Sequence, residues 1–104
     1  MRISEMKKFI VCLIISISTP IFAVDDVKQE IIQRCRSQMG EHGAAIVKAC
    51  VDQDIKALVA LNKYPEKYKS IIGRCLGQMK EYGYAIVKAC ADQDIKAEKA
   101  LSNY

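Results

Sequence analysis

Beyond residue 24, apolar side chains recur at helical spacing. Val27, Ile31, Cys35 and Met39 form one stripe of a helix. Asp25 and Asp26 stand at its start, where acidic groups face the positive end of the helix dipole. A second stripe runs from about Ala44 to Leu61. With Ile46 at zero on a wheel of about 100° per residue, Cys50 falls near 40°, Leu61 near 60°, Val47 near 100° and Leu58 near 120°. Lys48, Asp52 and Lys56 form an i, i+4 ladder on the solvated side. Gly43 lies between the two stripes, and glycine tolerates the left-handed backbone that ends a helix. Asn62-Lys63-Tyr64-Pro65 closes the second stripe, because the residue before a proline disfavours helical geometry. Pro65 suits the first turn of a following helix.

The same pattern then returns. Shifting the chain by 40 residues aligns residues 31–64 with 71–104, and 23 of those 34 positions are identical. Gly43 recurs as Gly83, and the ladder recurs as Lys88, Asp92 and Lys96. Gly40 becomes Lys80, so glycine is not required there. The chain is expected to be all-α, with two tandem helical hairpins at about 25–64 and 65–104. Four helices would pack as a small bundle or a short solenoid.

Residues 1–23 have a different character. Arg2, Lys7 and Lys8 precede an apolar run from Phe9 to Ile17, Thr19-Pro20 breaks it, and Ile21-Phe22-Ala23 ends in a small residue. This is the pattern of a secretory signal peptide cleaved after Ala23. The apolar run is short for a membrane span, so no stable membrane insertion is expected after cleavage. Cys12 lies in this run without the small residues that precede a lipidated cysteine.

Four cysteines remain, Cys35, Cys50, Cys75 and Cys90. An even count in a small exported chain implies disulfides. Zinc would need close-set pairs and haem attachment a C-x-x-C-H run, and the sequence has neither. With the turn near residue 42, Cys35 and Cys50 lie at nearly the same height on antiparallel helices. Both fall on apolar faces. The expected pairs among three alternatives are therefore Cys35–Cys50 and Cys75–Cys90. Residues 24–104 hold no Phe or Trp, so the core is small and aliphatic, and the disulfides should help to hold it. A homodimer would serve the same end.

Residues 24–104 carry 13 basic and 11 acidic side chains, net +2, with the basic residues scattered. That is not the footprint of a nucleic-acid binder. The only histidine, His42, stands at a hairpin tip. No catalytic set, phosphate loop or metal-ligand pair is present, so neither enzymatic activity nor a cofactor is expected.

One feature breaks the amphipathic pattern. Asp54 falls near 80° on the wheel, in the middle of the apolar stripe, and Asp94 does the same in the second copy. A buried carboxylate needs a partner. Arg34 and Arg74 stand at the matching height on the facing helices, with Gln38 and Gln78 at the stripe edge. Two buried Arg–Asp pairs that fix the packing are expected. The alternative is a polar pocket in which Asp54 and Asp94 bind a small molecule, a cationic group or a metal.

The tyrosines fall at turns and helix ends. Tyr82 and Tyr84 flank Gly83 where the first copy has His42 and Ala44, and Tyr64, Tyr68 and Tyr104 are expected to gather at the opposite end. Tyrosine suits contact surfaces, and these residues with His42 form a candidate binding surface.

The stretch Cys50-Val-Asp-Gln-Asp-Ile-Lys-Ala57 resembles small exported bacterial proteins that repeat a Cys-bounded helical hairpin. That resemblance covers nearly all of residues 24–104 and implies an envelope location without an activity. Ala49-Cys50 and Asp54 with Leu61-Asn62 are similar, over a shorter stretch, to small periplasmic proteins that include lysozyme inhibitors. The expectation is a periplasmic or secreted non-enzymatic protein that binds a protein partner, as an inhibitor or chaperone does.

Overall fold

A computed structural model describes residues 24–104. The signal peptide expected over 1–23, Cys12 included, lies outside them. Four helices follow one another: α1 (Val24–Met39), α2 (Ala44–Asn62), α3 (Lys69–Met79) and α4 (Tyr84–Leu101). Single 3₁₀ turns at Gly40–His42, Glu66–Tyr68 and Lys80–Tyr82 connect them.

The two hairpin turns have the same conformation. Met39 and Met79 sit at φ −120° and −122° with ψ near zero, and Gly43 and Gly83 at φ 101° and 109° with ψ 162° and 160°. Positive φ with extended ψ is open essentially to glycine alone. This differs from the left-handed helix end expected from the sequence. Each glycine starts the second helix of its hairpin, and its carbonyl accepts the first helical bond, from Val47 or Val87. The 3₁₀ turn, not the glycine, ends the first helix.

Disulfides join Cys35 to Cys50 and Cys75 to Cys90, with Cα separations of 5.8 and 5.9 Å. Equal height on antiparallel helices brings the Cα atoms into the range a disulfide spans.

The hairpins meet mainly through α2 and α4. Tyr84, at the start of α4, bonds to Asp54 in the middle of α2, and Asp92 bonds to Tyr64 just past its end. The two helices therefore run in the same direction. They are staggered by about ten residues, or about 15 Å at the rise of an α-helix. Direct, staggered contact between the second helices is the geometry of a helical-repeat stack, whereas in an up-down bundle those two helices, also parallel, lie across a diagonal.

Two small cores are cross-linked by exchange. Tyr84 of the second hairpin enters the cluster of Ile31, Cys35, Ala57 and Leu58. Leu61 of the first enters the cluster of Ile72, Cys75, Val87 and Ala91. Leu76 packs against both. Burying Leu61 alone contributes roughly 1.5–3 kcal/mol, much of it spent on holding the hairpins together.

Candidate functional site

The main polar centre of the described residues lies on the seam between the hairpins. Asp54 is 4% exposed. Its carboxylate pairs with the Arg34 guanidinium of the same hairpin. It also accepts the backbone N–H groups of Tyr84 at 3.1 Å and Ala85 at 3.2 Å. Those amides are the first of α4 and have no carbonyl partner within their own helix. Helix starts usually carry Ser, Thr, Asp or Asn to accept them. Gly83 has no side chain to offer, and the first hairpin supplies the missing carboxylate. The helix dipole favours a negative charge at this end.

Arg34 is itself held in place. It donates to Gln38 Oε1 at 2.8 Å and lies over the disulfide, 3.6 Å from Cys35 Sγ and 4.0 Å from Cys50 Sγ. The approach is so close that a Cβ on Gly83 would stand 2.7 Å from Arg34 Nη2 and 2.8 Å from Asp54 Oδ2. Glycine at 83 is thus required by space as well as by φ. At Gly43 nothing among the described residues lies within 4 Å of that position, and φ is what requires glycine.

Other polar contacts cross the seam. Tyr64 donates its hydroxyl to Asp92, whose other oxygen takes Lys88 at 2.9 Å. Gln38 Nε2 reaches Glu81 O at 3.5 Å, and Lys80 faces Glu30 at 3.6 Å. Burial, and then the Asp92 carboxylate, push the Tyr64 hydroxyl above the usual tyrosine range. Burial acts against ionisation of Asp92, but the bonds from Tyr64 and Lys88 outweigh it and hold that carboxyl below its usual value. Tyr84 is raised by burial first, then by Glu30 and Asp54.

The second Arg–Asp pair departs from expectation. Arg74 and Asp94 bond to each other, but their side chains are 49% and 35% exposed. Among the described residues nothing covers α4 as α4 covers α2, and this pair is open. Asp94 lies beside the sulfurs of Cys75 and Cys90, yet sulfurs joined in a disulfide offer a metal no thiolate.

The tyrosines separate. Tyr84 is 3% exposed and belongs to the core, not to a binding surface, because the stagger lays the first hairpin over it. Tyr64 and Tyr68 are half-buried, Tyr82 and His42 are exposed at the tips, and Tyr104 is almost wholly exposed. Tyr64 turns to Asp92 instead of gathering with Tyr104. The residues missed by sequence reasoning are the backbone amides of Tyr84 and Ala85. Their signal was a helix start without a capping side chain, to be matched with a carboxylate out of place on an apolar face.

Comparison with protein-family models, with curated proteins and with solved structures finds no match to this chain. The two disulfides point to an oxidising, non-cytoplasmic setting. Among the described residues, no helix is long and apolar enough to cross a membrane.

Proposed function

We propose that this protein is a non-enzymatic protein-binding module of the bacterial envelope, periplasmic or secreted, acting as inhibitors and chaperones do by presenting a rigid surface. The supporting observation is a repeated apolar position outside the seam. Ile46 and Ile86 are 46% and 45% exposed. Docking covers much of the second hairpin, yet leaves this position as open as in the first. Both lie in the first turn of a second helix, next to a tip that carries His42 or Tyr82. A stapled scaffold loses little conformational entropy when it binds. Aromatic and aliphatic groups at such tips fit an apolar segment of another protein.

The cation-binding alternative has less support, since three N–H donors already converge on Asp54. The test is affinity capture from envelope extract with wild type and with Ile46→Glu/Ile86→Glu. The expected result is a protein retained by wild type and lost with the double variant, while both melt within a few degrees of each other. Equal capture by both would overturn this assignment of the surface.

A further inference from the structure

The seam between the hairpins has two sides, and each hairpin uses only one. The first hairpin buries Ile31, Asp54, Ala57, Leu58 and Leu61. In the second, the counterparts are Ile71, Asp94, Ala97, Glu98 and Leu101, all half-buried or exposed. They line, with Arg74, an open groove of about 250 Å³. The second hairpin in turn buries Ile72, Tyr84, Val87 and Ala91. Their counterparts Ile32, Ala44, Val47 and Val51 line a groove of about 500 Å³ on the outer side of the first. The described residues thus present two open surfaces that correspond to the two halves of their own internal contact.

We infer that these surfaces join a second copy of this chain, head to tail, by repeating the internal seam. Apart from the Glu30–Lys80 ion pair, the groups that bond across the seam are present at both open ends. Asp94, held by Arg74 as Asp54 is by Arg34, is the acceptor. The start of α2, with Ala44 and Ala45 exposed after Gly43, supplies the amides that Tyr84 and Ala85 supply inside the molecule. Among the described residues nothing within 4 Å of where a Cβ on Gly43 would stand obstructs that approach. Tyr104 matches Tyr64 and is 99% exposed. Its acceptor would be Asp52, paired with Lys48 at 2.7 Å as Asp92 is with Lys88 at 2.9 Å. Gln78 and Glu41 match Gln38 and Glu81.

Some seam positions differ. Leu58 becomes Glu98, Tyr84 corresponds to Ala44, and the Glu30–Lys80 pair corresponds to Ser70 and Gly40. The contact between copies is therefore weaker than the internal one and reversible. It is also heterologous: each contact leaves a free end of each kind, so association continues beyond a dimer.

The test uses protein expressed from the full sequence in an export-competent host and purified as processed there. Wild type should gain mass by light scattering or sedimentation between about 10 μM and about 1 mM. Asp94→Arg blocks one end and Ala44→Arg the other. Each variant alone should stay monomeric, and an equimolar mixture should form a one-to-one dimer. Asp94→Asn and Tyr104→Phe, milder changes at exposed positions, should shift the wild-type curve several-fold to higher concentration with unchanged circular dichroism. Glu98→Leu with Ala44→Tyr restores the internal pairing and should tighten association by about tenfold or more. Wild type that remains monomeric at the highest concentration overturns the inference and leaves the grooves to a different chain. Self-association of either blocked variant at wild-type strength overturns the head-to-tail geometry. None of these measurements involves the captured partner proposed above, so the two proposals fail separately.

Discussion

Asp54 and Asp94 are the same residue type at matching positions, next to the same kind of arginine, in different surroundings. One carboxylate is buried and receives three N–H donors. The other is half-exposed and receives Arg74. Removing one partner of a buried pair leaves the other charge uncompensated, whereas exposed pairs contribute about 0–1 kcal/mol. Asp54→Asn is therefore expected to cost about 2–3 kcal/mol and Asp94→Asn under about 1 kcal/mol, read from thermal or denaturant unfolding. The Asp54 variant should also speed amide exchange at Tyr84 and Ala85, an effect the Asp94 variant lacks. Equal loss of stability in the two would show that the cap contributes little. The wheel position of Asp54 was legible in the sequence, and so was an arginine at matching height. The receiving amides were not, because a backbone N–H has no residue identity to read and its position depends on how the hairpins dock.

Each hairpin, as an element, is a staple around a short aliphatic core. The pairing of its cysteines could be read directly, since both distances from the turn are set by helix rise and both cysteines lie on apolar faces. Closing a loop of this length is worth about 3 kcal/mol, a large share of a small domain's stability. Cys35→Ala/Cys50→Ala and Cys75→Ala/Cys90→Ala should each lower stability by about that amount in a non-reducing melt. They should differ in reach. The Arg34 guanidinium lies over the first disulfide, so its loss should also loosen the cap on α4 and speed exchange at Tyr84 and Ala85. Loss of the second leaves Arg34 and Asp54 in place. Identical exchange patterns would separate the disulfide from the cap. The turn glycines show where local reading stops. Gly43 and Gly83 look alike in the sequence, and both need positive φ, but only Gly83 is also pressed by another hairpin.

Across the whole molecule, stability depends on groups that link one hairpin to the other, and this gives it a pH profile. Asp92 has a depressed pKa in the fold, so its contribution is present above the unfolded carboxylate value of about 3.9 and is lost as pH falls through the folded value. Tyr64 and Tyr84 are raised, so theirs is present below about 10 and lost as pH rises through the folded values. Melts across pH should show a plateau between those limits with a fall on either side. Tyr64→Phe should make both falls shallower, since one hydroxyl serves Asp92 on the acid side and titrates on the alkaline side. Unchanged limbs would place the pH dependence elsewhere. A stack and a bundle were both open from the sequence. What decides between them is the stagger, which is set by Tyr84 and Leu61 each packing into the other hairpin's core, a choice that no period of apolar residues encodes.

The carboxylate that caps α4 precedes the amides it receives by thirty residues of chain. Synthesis delivers the N-terminal side first. The first hairpin, with its turn and its disulfide partners all in its own sequence, can close as a unit once it reaches an oxidising setting. It then presents Asp54 as a ready nucleation point to a helix whose own start has no cap. The seam thus favours an order of assembly in which the second hairpin folds against the first, and Tyr84 then completes the first hairpin's core.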